Sequence, residues 1–135
     1  MQAQVIALLA DLKARLGLTY LFISHDLSVV ETVSERVAIL YFGRIVEIGP
    51  AAAVYRHPRH PYTALLLSCA PAPGRKLALP DEGEAELPDP YDPPPGCAFA
   101  ARCPRAEPLC REVDPALSDA AGADSARRSA CHFPL

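Results

Sequence analysis

The chain has 135 residues, half of them apolar, which suits one modest domain with a core in only part of its length. A net charge of −3 without any long basic cluster argues against a nucleic-acid partner. No apolar run reaches bilayer-spanning length, and the N-terminal stretch, whose first charge is Asp11, lacks the pattern of a secretory signal.

Composition divides the sequence. Residues 1–70 hold three of the fifteen prolines and one of the five cysteines. The expectation is a folded piece followed by a loop-rich one, without internal repeats.

In chain order, Val5, Leu9, Leu12 and Leu16 recur at spacings of four, three and four, which predicts a helix that Gly17 ends. Tyr20-Leu21-Phe22-Ile23 has no polar alternation and reads as a strand covered on both faces, as in a parallel sheet. Asp26 or Ser28 can cap a short helix running to about Val33. Arg36–Tyr41 and Arg44–Ile48 read as two strands of a hairpin turning at Phe42-Gly43, with Gly49-Pro50 ending it. A last helix is predicted from Pro61, with Tyr62, Leu65, Leu66 and Cys69 as its apolar stripe and Cys69 as a small core residue. His57 and His60 flank prolines and are expected at the surface or as caps. A strand buried on both faces needs sheet neighbours, and this order offers too few.

These residues carry a resemblance. "QAQVIALLADLKARLGLTYLFISHDLSVV", "RVAILYFGRIVEIGP" and "HPRHPYTALLLSCAP" resemble the C-terminal part of the ATP-binding subunit of bacterial ABC importers for oligopeptides and dipeptides, the peptide and nickel branch. The implied fold class is α/β. Residues 1–70 would be the C-terminal part of an ABC-type ATPase domain, 71–96 a Pro-rich acidic linker, and 97–135 a small irregular cysteine-containing extension.

The sequence also departs from that family. It contains no G-x-x-x-x-G-K-[ST] loop to cradle phosphates, no Ser-Gly-Gly-Gln signature and no acidic strand end for magnesium. All would lie upstream of Met1, so the chain is expected to be a truncated frame or one piece of a split gene, inactive alone. ATP and magnesium belong to the full-length parent. So do the transmembrane permease subunits, a sister ATPase subunit, and a cytoplasmic place on the inner face of the membrane without direct insertion.

By resemblance His25 is the switch histidine, which donates to the γ-phosphate and orients the attacking water. It would act only with the missing half present. By residue type alone it is a solvated loop histidine, and Asp26 caps the next helix. Both readings of His25 stand at this point.

Residues 71–96 hold eight prolines and six acidic residues and are expected to be extended or disordered. Beyond them Cys97, Cys103, Cys110 and Cys131 are separated by five, six and twenty residues, a spacing for disulfides, zinc or an iron–sulfur cluster. A cytoplasmic relative argues against disulfides. Zinc usually employs a C-x₂₋₄-C knuckle, which is absent, and wider spacing suits separate corners of a four-iron four-sulfur cluster. The resemblance implies the same: "GCxF…RCP…C…CH" recurs in the family's extension, where some members bind a cluster. Zinc remains the alternative, and His132 could replace Cys131. Arg102, Arg105, Arg111, Arg127 and Arg128 could offset the site's negative charge. The competing functional reading is a stand-alone metal-binding interaction module.

Overall fold

The computed structural model describes residues 2–70, 89, 91–119 and 126–135, which form two units, Met1–Ser34 and Glu35–Leu135. The expected linker falls almost wholly outside the described residues.

In the first unit, helix α1 spans Gln2–Leu16 and stops at Gly17, whose φ is +65°. Its apolar stripe is open: Val5, Leu8 and Leu16 are exposed, and Leu9 and Leu12 are half-buried. The expected strand at residues 20–23 does not form. Leu21 is 92% exposed and Ile23 96% exposed. A doubly covered strand exists only if neighbours satisfy its backbone and bury both faces. Among the described residues no strand pairs with this segment. Helix α2, Leu27–Val33, begins where the sequence places it. Asp26 caps it by accepting from Ser28 N at 3.1 Å and Val29 N at 3.2 Å.

The second unit is built on a hairpin. Strand β1, Arg36–Tyr41, alternates strictly, with Val37, Ile39 and Tyr41 turned inward. It pairs antiparallel with β2, Arg44–Pro50, through a turn in which Phe42 (φ 47°) and Gly43 (φ 73°) are both left-handed. Two left-handed residues match the twist of adjoining strands, the geometry of a primed turn. Between Ile39 and Leu40 the register shifts: Ile39 faces Glu47 while Leu40 faces Ile45. Val46 is the extra residue of a bulge, so Val46 and Glu47 are buried consecutively.

Gly49-Pro50 does not end regular structure as expected. Helix α3, Ala51–Arg56, follows directly and buries Ala51 and Val54. Helix α4, Pro61–Ser68, starts with proline in its first turn, as predicted. Cys69 is only half-buried and stands at its C-cap, so it is not the core residue the stripe suggested.

The tail is more regular than expected. A single 3₁₀ turn covers Ala100–Arg102, and α5 covers Pro108–Glu112. Strands β3, Ser118–Asp119, and β4, Arg128–Ser129, complete an antiparallel sheet of order β1-β2-β4-β3. Thus β4 joins the edge of β2, with Ala130 N donating to Val46 O at 2.8 Å. Tyr41, Tyr62 and Phe99 pack with ring centroids 4.5 to 5.5 Å apart, drawing β1, α4 and the cysteine segment onto one core.

Candidate functional site

Four cysteines widely separated in sequence converge in the second unit. Cys97, Cys103, Cys110 and Cys131 line one pocket, together with His60, Phe99, Arg105, Pro115 and His132. Several local devices produce this convergence. Cys97 N donates to Cys110 O at 2.8 Å, fastening the start of the segment to α5. Gly96 makes that approach possible, because a Cβ there would fall 2.4 Å from Cys110 O. The 3₁₀ turn reverses the chain between Cys97 and Cys103. Cys131 is delivered by β4, two residues beyond its pairing with β2. His132 is fixed by a 2.8 Å hydrogen bond between Nε2 and Val113 O.

Burial pushes the Cys97, Cys103 and Cys131 thiols up from their ordinary range, and each is raised further by neighbouring cysteines of the set. Backbone hydrogen bonds pull the other way: Phe99 acts on Cys97, Arg105 on Cys103, and Phe133 on Cys131. The Arg105 guanidinium also favours the thiolate at Cys103 and Cys131.

The pocket leaves about 10 Å³ for the centre of a water-sized sphere, room for about one water molecule. Among the described residues no group of three or more His, Cys, Asp or Glu side chains is arranged to hold a metal ion. The donor set is therefore thiol-rich and convergent but closed, and a ligated group needs the side chains to turn toward it.

Beneath the pocket lies a buried ionic hub that the sequence reading did not find. Glu47 is fully buried. Its carboxylate accepts from Arg59 N at 3.0 and 3.1 Å, from His60 N at 2.9 Å, and from Arg127 Nη2 at 3.0 Å. The same Arg127 nitrogen donates to His57 O. Gly49 leaves room for the Arg127 stem, whose Cγ would stand 2.7 Å from a Cβ there. Arg127 is thus spent on Glu47 and is not the countercharge for the cysteines that its position in sequence suggested. A bulge placing one acidic residue of a hairpin inward, and one tail arginine to meet it, leaves no local sequence signal.

His60 belongs to both features. It is 1% exposed, which corrects the expectation of a surface residue, though it does cap α4 by accepting from Tyr62 N at 3.1 Å on Nδ1. Burial drives its pKa down to about 4, with the nearby Glu47 carboxylate and Ala130 carbonyl opposing. His57 is exposed, as expected. His25 lies in the other unit, in an exposed bend before α2, where Asp26 N donates to Ser24 Oγ at 3.0 Å. Asp26 is the cap and not a site residue, its carboxyl held below the usual range by the Ser28 hydroxyl and the Val29 and Ser28 amides.

Residues 46–110, which run from the bulge to the third cysteine, match the sequence model described as "Oligopeptide/dipeptide transporter, C-terminal region". These residues belong to that family. The likeness extends beyond the transporter C-terminal region to almost all of the chain. A putative peptide import ATP-binding protein of Brucella abortus (strain 2308) is 48% identical over 133 residues, covering 98% of this chain and 38% of its own length. The dipeptide transport ATP-binding protein DppF of Escherichia coli (strain K12) is 48% identical over 126 residues, 90% of this chain and 36% of DppF. The oligopeptide transport ATP-binding protein AppF of Bacillus subtilis (strain 168) is 44% identical over 135 residues, 98% of this chain and 40% of AppF. The chain therefore spans about two fifths of the length of the curated relatives it matches.

Proposed function

We propose that the chain acts as the C-terminal part of the ATP-binding subunit of a peptide importer. The single observation that carries this is 44 to 48% identity to peptide-transport ATP-binding proteins along nearly all of the chain. In that setting His25 is the switch histidine that meets the γ-phosphate, with phosphate cradle and magnesium supplied by sequence beyond these residues. The subunit sits at the cytoplasmic face of the membrane against permease subunits and a second ATPase subunit. No helix among the described residues is long and apolar enough to cross a membrane. The first unit fits this role, since its open apolar stripe and exposed 20–23 segment suit packing within a larger sheet domain.

Within the same reading Cys97, Cys103, Cys110 and Cys131 hold a four-iron four-sulfur cluster in a structural role. A single zinc ion requires four thiolates about 2.3 Å from one point. A cube takes each thiolate at a separate corner, which suits thiols that share a pocket without forming a single-ion group. Arg105 offsets the negative charge.

Replacing the matching stretch of DppF with residues 2–135 tests the importer role. Dipeptide uptake by cells carrying the chimera supports it, and a stable, expressed chimera without uptake counts against it. Anaerobic purification with iron and sulfide tests the cofactor: a brown protein that turns colourless when Cys103 and Cys110 become Ser supports the cluster, and one stoichiometric zinc in a colourless protein refutes it.

A further inference from the structure

The His60 ring carries a proton with no destination. Nδ1 accepts from Tyr62 N, so this nitrogen presents a lone pair and the neutral ring bears its proton on Nε2. Nε2 is buried and makes no hydrogen bond. The Ala130 carbonyl is near enough to bias the ring's protonation, yet it does not accept from Nε2. Buried donors in native structures are almost always satisfied, and the exceptions call for an explanation. The ring also lines the pocket onto which the four cysteines converge. His60 is held in place twice, by its cap to Tyr62 and by its own amide on Glu47.

We propose that His60 donates its Nε2–H to a sulfur of the cysteine-ligated group, a cysteinate or an inorganic sulfide, and so raises that group's reduction potential. This rests on the cysteine-ligation reading above. A protonated thiol is a weak acceptor, whereas a metal-bound sulfur carries negative charge and accepts readily. The reduced group holds one more electron than the oxidised one, so a donor aimed at sulfur favours the reduced form. Arg105 adds positive charge to the same pocket, but it lies exposed at the rim, where solvent screens it. His60 is buried and directional. It is a positioning and tuning residue, not a ligand.

The test reconstitutes the full chain anaerobically with ferrous iron and sulfide, then titrates it with dithionite to read the midpoint potential. His60→Asn keeps an acceptor for Tyr62 N and removes the Nε2 donor, and His60→Gln returns an amide N–H near the Nε2 position. The expected result is equal iron content in all three proteins, a more negative potential for His60→Asn and a potential near wild type for His60→Gln. In the loaded wild type, ¹⁵N-histidine NMR should show an Nε2 proton protected from solvent exchange, a readout that needs no variant to fold. A loaded protein whose potential ignores His60→Asn, or whose Nε2 proton exchanges freely, overturns this inference alone. A wild-type chain that takes up neither iron nor sulfide overturns the ligation reading, and the inference with it.

Discussion

Arg127 Nη2 and Glu47 Oε1 lie 3.0 Å apart across eighty residues of sequence, with neither side chain open to water. The pair joins the hairpin to the tail, and Glu47 also holds the backbone that enters α4. Removing one partner of a buried pair leaves an uncompensated charge, which typically costs about 3–5 kcal/mol. Arg127→Met should therefore destabilise the second unit by about that amount, and Glu47→Gln together with Arg127→Met by distinctly less. Urea denaturation followed by far-ultraviolet circular dichroism measures both. A single-variant loss below about 1 kcal/mol would contradict the hub.

His60 makes the fold sensitive to acid. Its folded pKa of about 4 lies below the ordinary 6.5, so between these values the unfolded chain binds a proton that the folded chain refuses. Stability then rises with pH through that window and is lost as pH falls from about 6.5 to 4. The full difference is about 3 kcal/mol. His60→Asn should flatten the slope of unfolding free energy between pH 4 and 6.5. An unchanged slope would rule out His60 as its source.

Gly96 sits where the cysteine segment meets α5. An alanine Cβ would collide with the Cys110 carbonyl and with the Arg111 backbone, neither of which can swing away as a flexible side chain would. Gly96→Ala should break the bond from Cys97 N to Cys110 O and disperse the thiols. Hydrogen exchange at the Cys97 amide should accelerate by at least tenfold, while the β1–β2 amides hold their protection. Unaltered exchange at Cys97 would show that the close approach is dispensable.

The thiols of the metal-free chain should be sluggish nucleophiles. Cys97, Cys103 and Cys131 are pushed up by burial and by one another, so their thiolate fraction at neutral pH is small. Alkylation by iodoacetamide at pH 7.5 should be several-fold slower in the folded chain than in urea, with peptide mapping to assign each site. Equal rates in the two states would contradict the shared, buried pocket.

Local chemistry was legible in the sequence, and long-range partnership was not. Asp26 as a cap, Phe42-Gly43 as a turn, Pro61 as a helix start and the four-cysteine set all follow from residues a few positions apart. The 20–23 segment misled because four apolar residues state only that cover is wanted, not that it is present. Helix α3 was hidden because Gly-Pro was read as a stop, whereas Pro50 serves as the residue preceding a helix. The Glu47–Arg127 pair was invisible because a one-residue bulge decides which face Glu47 occupies, and bulges leave little trace in periodicity.

The central claim is that these residues complete a peptide importer's ATPase while leaving the gripping of triphosphate to other sequence. Phosphate release by the chimera with DppF, compared with and without His25→Ala and with the chain alone, tests it most directly. The account predicts magnesium-dependent hydrolysis by the chimera, a loss of about 10²-fold in His25→Ala, and no turnover by the 135-residue chain. A chimera that hydrolyses ATP equally well without His25, or turnover by the chain alone, would contradict it.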